Sequence, residues 1–152
     1  MCFGRLWDPV TKYEKSYRSD GSAPPPLPFE FISLAENAIE DAQLHMNLLP
    51  SMLPDICDCD EHVGGLDSGL PVVSVSIGYS AEFLYGHTRD ENKLEKVLLE
   101  SGDVLIFGGK SRRIFHGVRR ILTPLDYSQG YSQVIKETGL RLGRLNLTLK
   151  QF

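Results

Sequence analysis

PVVSVSIGYSAEFLYGHTRDENKLEKVLLESGDVLIFGGKSRRIFHGV, residues 71–118, decides the fold. Its first eight residues are a β-branched run in which Val73, Val75 and Ile77 alternate with Ser74 and Ser76, the period of a strand. Gly78 and Tyr79 mark a bend, and SAEFLYG (80–86) reads as the next strand. Residues 87–93 are a polar turn. KVLLE (96–100) and DVLIFG (103–108) are two further strands, separated at Ser101-Gly102 by a hairpin-type break. RIFHGV (113–118) is a fifth strand candidate.

Outward from this block the pattern holds on one side and changes on the other. Residues 120–142 form a long connection containing Pro124. GRLNLTLKQF (143–152) is a clean last strand. Towards the N-terminus, Phe31, Leu34, Ala35, Ala38, Ile39 and Ala42 fall on one face at helical spacing, with Glu36, Asn37, Glu40 and Asp41 opposite. This predicts a helix within 29–47, closed off by Pro50 and Pro54. SDGSAPPPLP (19–28) is a loop, because consecutive prolines exclude helix and central strand. One helix followed by closely spaced strands predicts a mainly β fold with one packed helix, a sandwich or jelly roll. It disfavours a βαβ fold, since no helices separate the strands.

The chain has 152 residues, which is one domain's length. Its 41% apolar and 24% charged residues are ordinary globular values and exclude a disordered chain. No apolar run is long enough for a membrane-spanning helix, so no membrane partner is expected. The first ten residues lack the apolar segment of an export signal. Three cysteines, Cys2, Cys57 and Cys59, make an odd, low count that fits a reducing intracellular compartment, nucleus or cytoplasm.

The net charge of −4 is unevenly distributed. Residues 110–152 contain nine basic side chains and two acidic ones, a local charge of +7 against −11 for the rest. Such a stretch can attract phosphates; its other reading is solvated loop charge.

Three places could supply chemistry. In the last strand Arg144, Asn146, Thr148 and Lys150 share one face and Leu145, Leu147 and Leu149 the other. The leucine face is expected to be the packed one. The polar face then lines solvent or a cavity, and two cations with an amide suit a dicarboxylate, which arginine grips with paired hydrogen bonds. His116 matters only with partners: imidazole suits iron, zinc or copper, completed by a carboxylate from another strand. The cluster Cys57-Asp58-Cys59-Asp60-Glu61-His62 contains a C-x-C pair and a histidine but lacks the second pair that zinc sites normally need. Its plain reading is an acidic loop.

Together these pieces resemble a family. PVVSVSIG, AEFLYG, LLESGDVLIFGGKSRRIFHGV and RLNLTLKQF, in this order, look like the AlkB-type Fe(II)/2-oxoglutarate-dependent dioxygenases, including the terminal R-x-N-x-T-x-[RK] pattern. The resemblance covers nearly the whole chain as a single domain, with an irregular segment to residue 28, a helix in 29–47 and a barrel core from 54 to 152. It implies an incomplete double-stranded β-helix, Fe(II) as metal, 2-oxoglutarate as cosubstrate, and oxidative demethylation of N-alkylated bases in DNA or RNA by a monomer. His116 looks like the distal histidine of a two-histidine, one-carboxylate iron site and Asp58 like its carboxylate. Arg144 looks like the arginine that pairs with the distal carboxylate of 2-oxoglutarate, flanked by Asn146 and Lys150. At 150 the family more often has arginine; lysine keeps the charge but loses the planar fork.

One departure is chemical. Ile56 stands two residues before Asp58, where the resemblance places the first iron-binding histidine, and isoleucine cannot ligate a metal. The family's preceding strand with its Asn-x-Tyr element is also missing, which predicts an internal deletion at Cys57–Asp58 and a gap in the sheet. The N-terminus reads as short by the same comparison. His62, His45 and His87 are alternative imidazoles, expected to be surface residues. The activity of this chain is therefore expected to be impaired, with a non-catalytic module that binds 2-oxoglutarate or nucleic acid as the alternative. A cupin-like small-molecule binder is a third reading.

Overall fold

The computed structural model describes residues 2–6, 8, 10, 17–18, 20–58, 69–123, 139 and 143–152. Among these, one α-helix, α1 (Phe29–Gln43), precedes seven strands: β1 (Ile56–Asp58), β2 (Val72–Gly78), β3 (Ala81–Gly86), β4 (Glu95–Leu99), β5 (Val104–Phe107), β6 (Phe115–Ile121) and β7 (Arg144–Lys150). They form a four-stranded sheet in the order β1-β7-β2-β5 and a three-stranded sheet in the order β4-β3-β6. The β1–β7, β2–β5, β3–β4 and β3–β6 pairings are antiparallel. Consecutive strands passing between two open sheets, with one packed helix, make an incomplete jelly roll.

The chain divides into two compact units, Met1–Val75 with Val104–Arg113 and Leu147–Phe152, and Ser76–Asp103 with Ile114–Asn146. In the first, α1 packs against β5. Ala35 and Ile39 form the buried centre of its apolar stripe, while Leu34, expected on that stripe, is largely exposed. The helix stops at Gln43, short of the expected limit of 47: Leu44 N–H still bonds four residues back to Glu40, but His45 N–H turns to the Ala42 carbonyl only three residues back, tightening the last turn. Its entry is set by Pro28, whose carbonyl accepts from Phe31 and Ile32, and Phe31 packs edge-on to Phe3 at 6.0 Å.

β1 was not visible as a strand, since three residues are too short to show alternation. It pairs Ile56, Cys57 and Asp58 with Lys150, Leu149 and Thr148. The gap expected beside it is bridged at Cys57, whose backbone N–H and C=O both bond to Phe3, at 3.2 and 2.9 Å. A short edge with its backbone groups taken at that point is less available for stray pairing.

Two expectations need correction. Ser101-Gly102 does not close a hairpin: β4 belongs to one sheet and β5 to the other. The turn is anchored on β2 instead, with Gly102 N–H donating to the Ser76 carbonyl (2.8 Å) and Ser76 N–H to the Asp103 carbonyl (2.9 Å). The fifth strand begins at Phe115, not Arg113, because Gly109–Arg113 winds into a 3₁₀ turn whose preceding Gly108 exchanges hydrogen bonds with the Ser111 hydroxyl. It then runs on to Ile121, opposite Ala81.

The junction between β2 and β3 constrains the second unit. Gly78 has φ +90°, and a Cβ there would strike the Gly143 carbonyl oxygen. That same carbonyl accepts from Tyr79 N–H at 2.9 Å, so the end of β2 lies directly on the residue before Arg144. Gly102 also has positive φ, +97°, but faces open space. Gly102→Ala is expected to lose only the left-handed backbone cost, about 1–2 kcal/mol. Gly78→Ala must add a backbone clash to that cost and is expected to lose about 3 kcal/mol or more. Urea midpoints of the two variants check this; equal losses would contradict the close approach.

Candidate functional site

The site is best built from Arg144, the first residue of β7. One guanidinium nitrogen, Nη2, donates to the Ser76 hydroxyl at 2.7 Å, and Nη1 donates to the Tyr79 carbonyl at 3.1 Å. Its Nε is buried and has no hydrogen-bond partner among the described residues. Burial pushes the Arg144 pKa below its ordinary value, with Asp103 acting in the opposite sense. A guanidinium is always charged in practice, so burial does not neutralise it. What remains is a fixed cation whose buried Nε–H is unmet, a donor that a carboxylate oxygen can satisfy.

The rest of β7 corrects the expected inside-out pattern. Leu149 is fully buried, but Leu145 is 38% exposed, and Lys150 on the polar face is only 8% exposed. Arg144, Asn146 and Thr148 are half-buried. The polar face of β7 is therefore not simply solvated, its residues running from half-buried at Arg144 to buried at Lys150.

Directly opposed residues of an antiparallel pair share a face. Ile56 is opposite Lys150, so it lies on the polar face of β7, and it is 0% exposed. Asp58 is opposite Thr148, two register positions further along β1; its side chain lies outside the described residues. Residues 59–62, including Cys59 and His62, lie outside them as well. His45 and His87 are exposed.

His116 sits in β6, opposite Tyr85 of β3, and its ring stacks on Phe83 at 5.9 Å with a 29° interplanar angle. Its Nδ1 is 3.1 Å from the Ile114 carbonyl. A carbonyl only accepts, so this contact is a hydrogen bond in the tautomer with the proton on Nδ1. Such a bond orients an imidazole for coordination through Nε2.

The two halves of the expected site therefore differ. Arg144, with its orphaned Nε, fits a 2-oxoglutarate carboxylate. The iron half does not fit a three-ligand protein site: the first-histidine position is a buried isoleucine. Among the described residues no three His, Cys, Asp or Glu side chains group as a metal site.

The basic stretch is partly neutralised within the fold. Arg119 donates to Glu82 at 2.8 Å and lies 3.7 Å from Glu91, and Arg120 lies 3.6 Å from Glu82. These cations are thus less available to phosphates than their spacing in sequence implied. Ser76 and Tyr79, the residues that hold Arg144, were not singled out from sequence. The available signal was the pair of serines inside an otherwise apolar strand.

The family model described as the 2OG-Fe(II) oxygenase superfamily matches residues 2–150. The chain belongs to that superfamily. Within it, the chain is AlkB-like. It is 44% identical to the Arabidopsis thaliana DNA N(6)-methyladenine demethylase ALKBH1C, over all of this chain and 38% of that protein. It is 30% identical to the Escherichia coli alpha-ketoglutarate-dependent dioxygenase AlkB, over 76% of this chain and 57% of that one. The solved structure of OsALKBH1 superposes with a TM-score of 0.79 at 43% identity, covering 99% of this chain and 77% of that chain. The chain spans about two fifths of the length of ALKBH1C. That alignment has 178 positions for this chain's 152 residues, so 26 positions occupied in ALKBH1C have no counterpart here. No helix among the described residues is long and apolar enough to cross a membrane.

Arg119 and the neighbouring cations hold the Glu82 carboxyl below its ordinary value of 4.5. A carboxylate with a lowered folded pKa contributes stability above its unfolded pKa and loses it as pH falls through the folded one. Glu82→Gln should therefore be less stable than the parent at neutral pH. The difference should close as pH falls below about 4.5, measured by thermal unfolding across pH. A pH-independent difference would contradict the ion-pair account.

Proposed function

We propose that this chain derives from an Fe(II)/2-oxoglutarate-dependent demethylase of N-alkylated bases in DNA or RNA, and that its own turnover is impaired. The observation that carries the impairment is Ile56, buried on the polar face of β7 at the position where the resemblance places an iron-binding histidine. A bound Fe(II) and 2-oxoglutarate would supply the oxidising chemistry that hydroxylates an N-methyl carbon, after which the product loses formaldehyde. The residues assigned to them are Asp58 and His116 for the metal and Arg144, Asn146 and Lys150 for the cosubstrate. Two protein ligands hold a ferrous ion more weakly than three. The 26 unmatched alignment positions support an internal deletion, which we assign to the Cys57–Asp58 junction.

The substrate assignment is supported by the relatives, ALKBH1C being named a DNA N(6)-methyladenine demethylase. Nucleic acid would be held by the cations of the C-terminal stretch left over after Glu82 is satisfied, and the target base would be taken out of its stack. We assign the chain to the nucleus or cytoplasm, as a monomer.

A second reading has its own support. Arg144 retains a buried, unmet donor even though the first metal-ligand position is aliphatic. That combination suits a module that binds 2-oxoglutarate without turning it over.

Oxygen-dependent succinate formation from 2-oxoglutarate tests the proposal. With Fe(II) and ascorbate present, the purified 152-residue chain should form no more succinate than its His116→Ala variant, with ALKBH1C as the positive control. Sustained turnover that His116→Ala abolishes would refute the impairment.

A further inference from the structure

Ser76 is the polar residue most deeply placed in β2, 1% exposed between buried Val75 and half-buried Ile77. Its backbone is already satisfied, N–H to the Asp103 carbonyl and C=O from Gly102 N–H. Its hydroxyl oxygen is therefore not needed by the ladder, and it accepts from Arg144 Nη2 at 2.7 Å. The other end of the guanidinium is fixed by a backbone oxygen, that of Tyr79, in the segment clamped to Gly143.

These two bonds act differently. Either alone leaves the planar group free to swing about its side-chain torsions. Both together fix the plane and the direction of the Nε–H, which meets no oxygen among the described residues. The backbone oxygen is present whatever residue occupies position 79. The hydroxyl depends on residue 76 alone.

We propose that Ser76 is a positioning residue for the cosubstrate: it turns the Arg144 guanidinium so that Nε faces the distal carboxylate of 2-oxoglutarate. The proposal rests on the reading of Arg144 as the cosubstrate arginine. Ser76 touches no ligand itself. A serine that merely filled the strand would stabilise the fold without affecting which acids bind.

Ligand discrimination separates these roles. Calorimetric titrations of the full chain with 2-oxoglutarate and with 2-oxobutyrate, which lacks the distal carboxylate, give a preference ratio that a general loss of stability does not change. Ser76→Ala should lower the preference for 2-oxoglutarate at least about tenfold, the scale of a lost charge-assisted hydrogen bond, with 2-oxobutyrate binding unchanged. Ser76→Cys, close in volume but a weak acceptor, should fall in the same direction and serves if the alanine variant does not fold. Arg144→Gln should remove the preference altogether. If Arg144→Gln removes it while both Ser76 variants keep it, the positioning role is wrong and the cosubstrate reading stands. If the parent chain shows no preference, or Arg144→Gln retains it, the cosubstrate reading fails and the role of Ser76 fails with it.

Discussion

A buried guanidinium held on two sides by oxygens of the same strand end is the constraint on which the rest of the second unit depends. Arg144 reaches Ser76 and the Tyr79 carbonyl only because Gly78 has no side chain where β2 meets Gly143. The same crossing takes Tyr79 N–H to the Gly143 carbonyl, and the Ser76 carbonyl anchors the turn that sends the chain from β4 to β5. Local backbone geometry, the change of sheet and the orientation of a charged side chain therefore share a few atoms. Leaving a donor buried without a partner costs about 1–3 kcal/mol. A ligand carboxylate that met the donor would recover part of that cost.

The metal side shows the opposite economy. Ile56 opposes Lys150 and is completely buried. An aliphatic side chain at that point stabilises β1 by burial, about 1.5–3 kcal/mol for such a residue, and offers nothing to a cation. Together with the Phe3 bridge at Cys57, it gives the shortened edge a packed and hydrogen-bonded end.

The long strands were legible because PVVSVSIG, AEFLYG and RLNLTLK have strand-like spacing, although which faces are buried was not: β2 is buried on both from Val72 to Ser76. β1 was not, because three residues cannot alternate. Ser101-Gly102 misled because a hairpin and a sheet change use the same small, positive-φ turn; the Ser76 and Asp103 backbone bonds that decide between them are long-range. The β7 faces were assigned from their leucines, but burial along β7 follows position rather than face, with Leu149 and Lys150 buried at one end and Leu145 exposed near the other. His116 and Arg144 could be singled out from motif order, whereas Ser76, between Val75 and Ile77, carries no motif, and only its hydroxyl contact with the guanidinium sets it apart. Asp58 is placed by register alone, opposite Thr148.

The most direct measurement is the ¹⁵N–¹H resonance of the Arg144 Nε group, assigned by its absence from Arg144→Gln. The account predicts that this signal shifts on addition of 2-oxoglutarate and stays in place on addition of 2-oxobutyrate. A signal that does not move while 2-oxoglutarate binds would show that the buried donor faces something else, and would contradict the account.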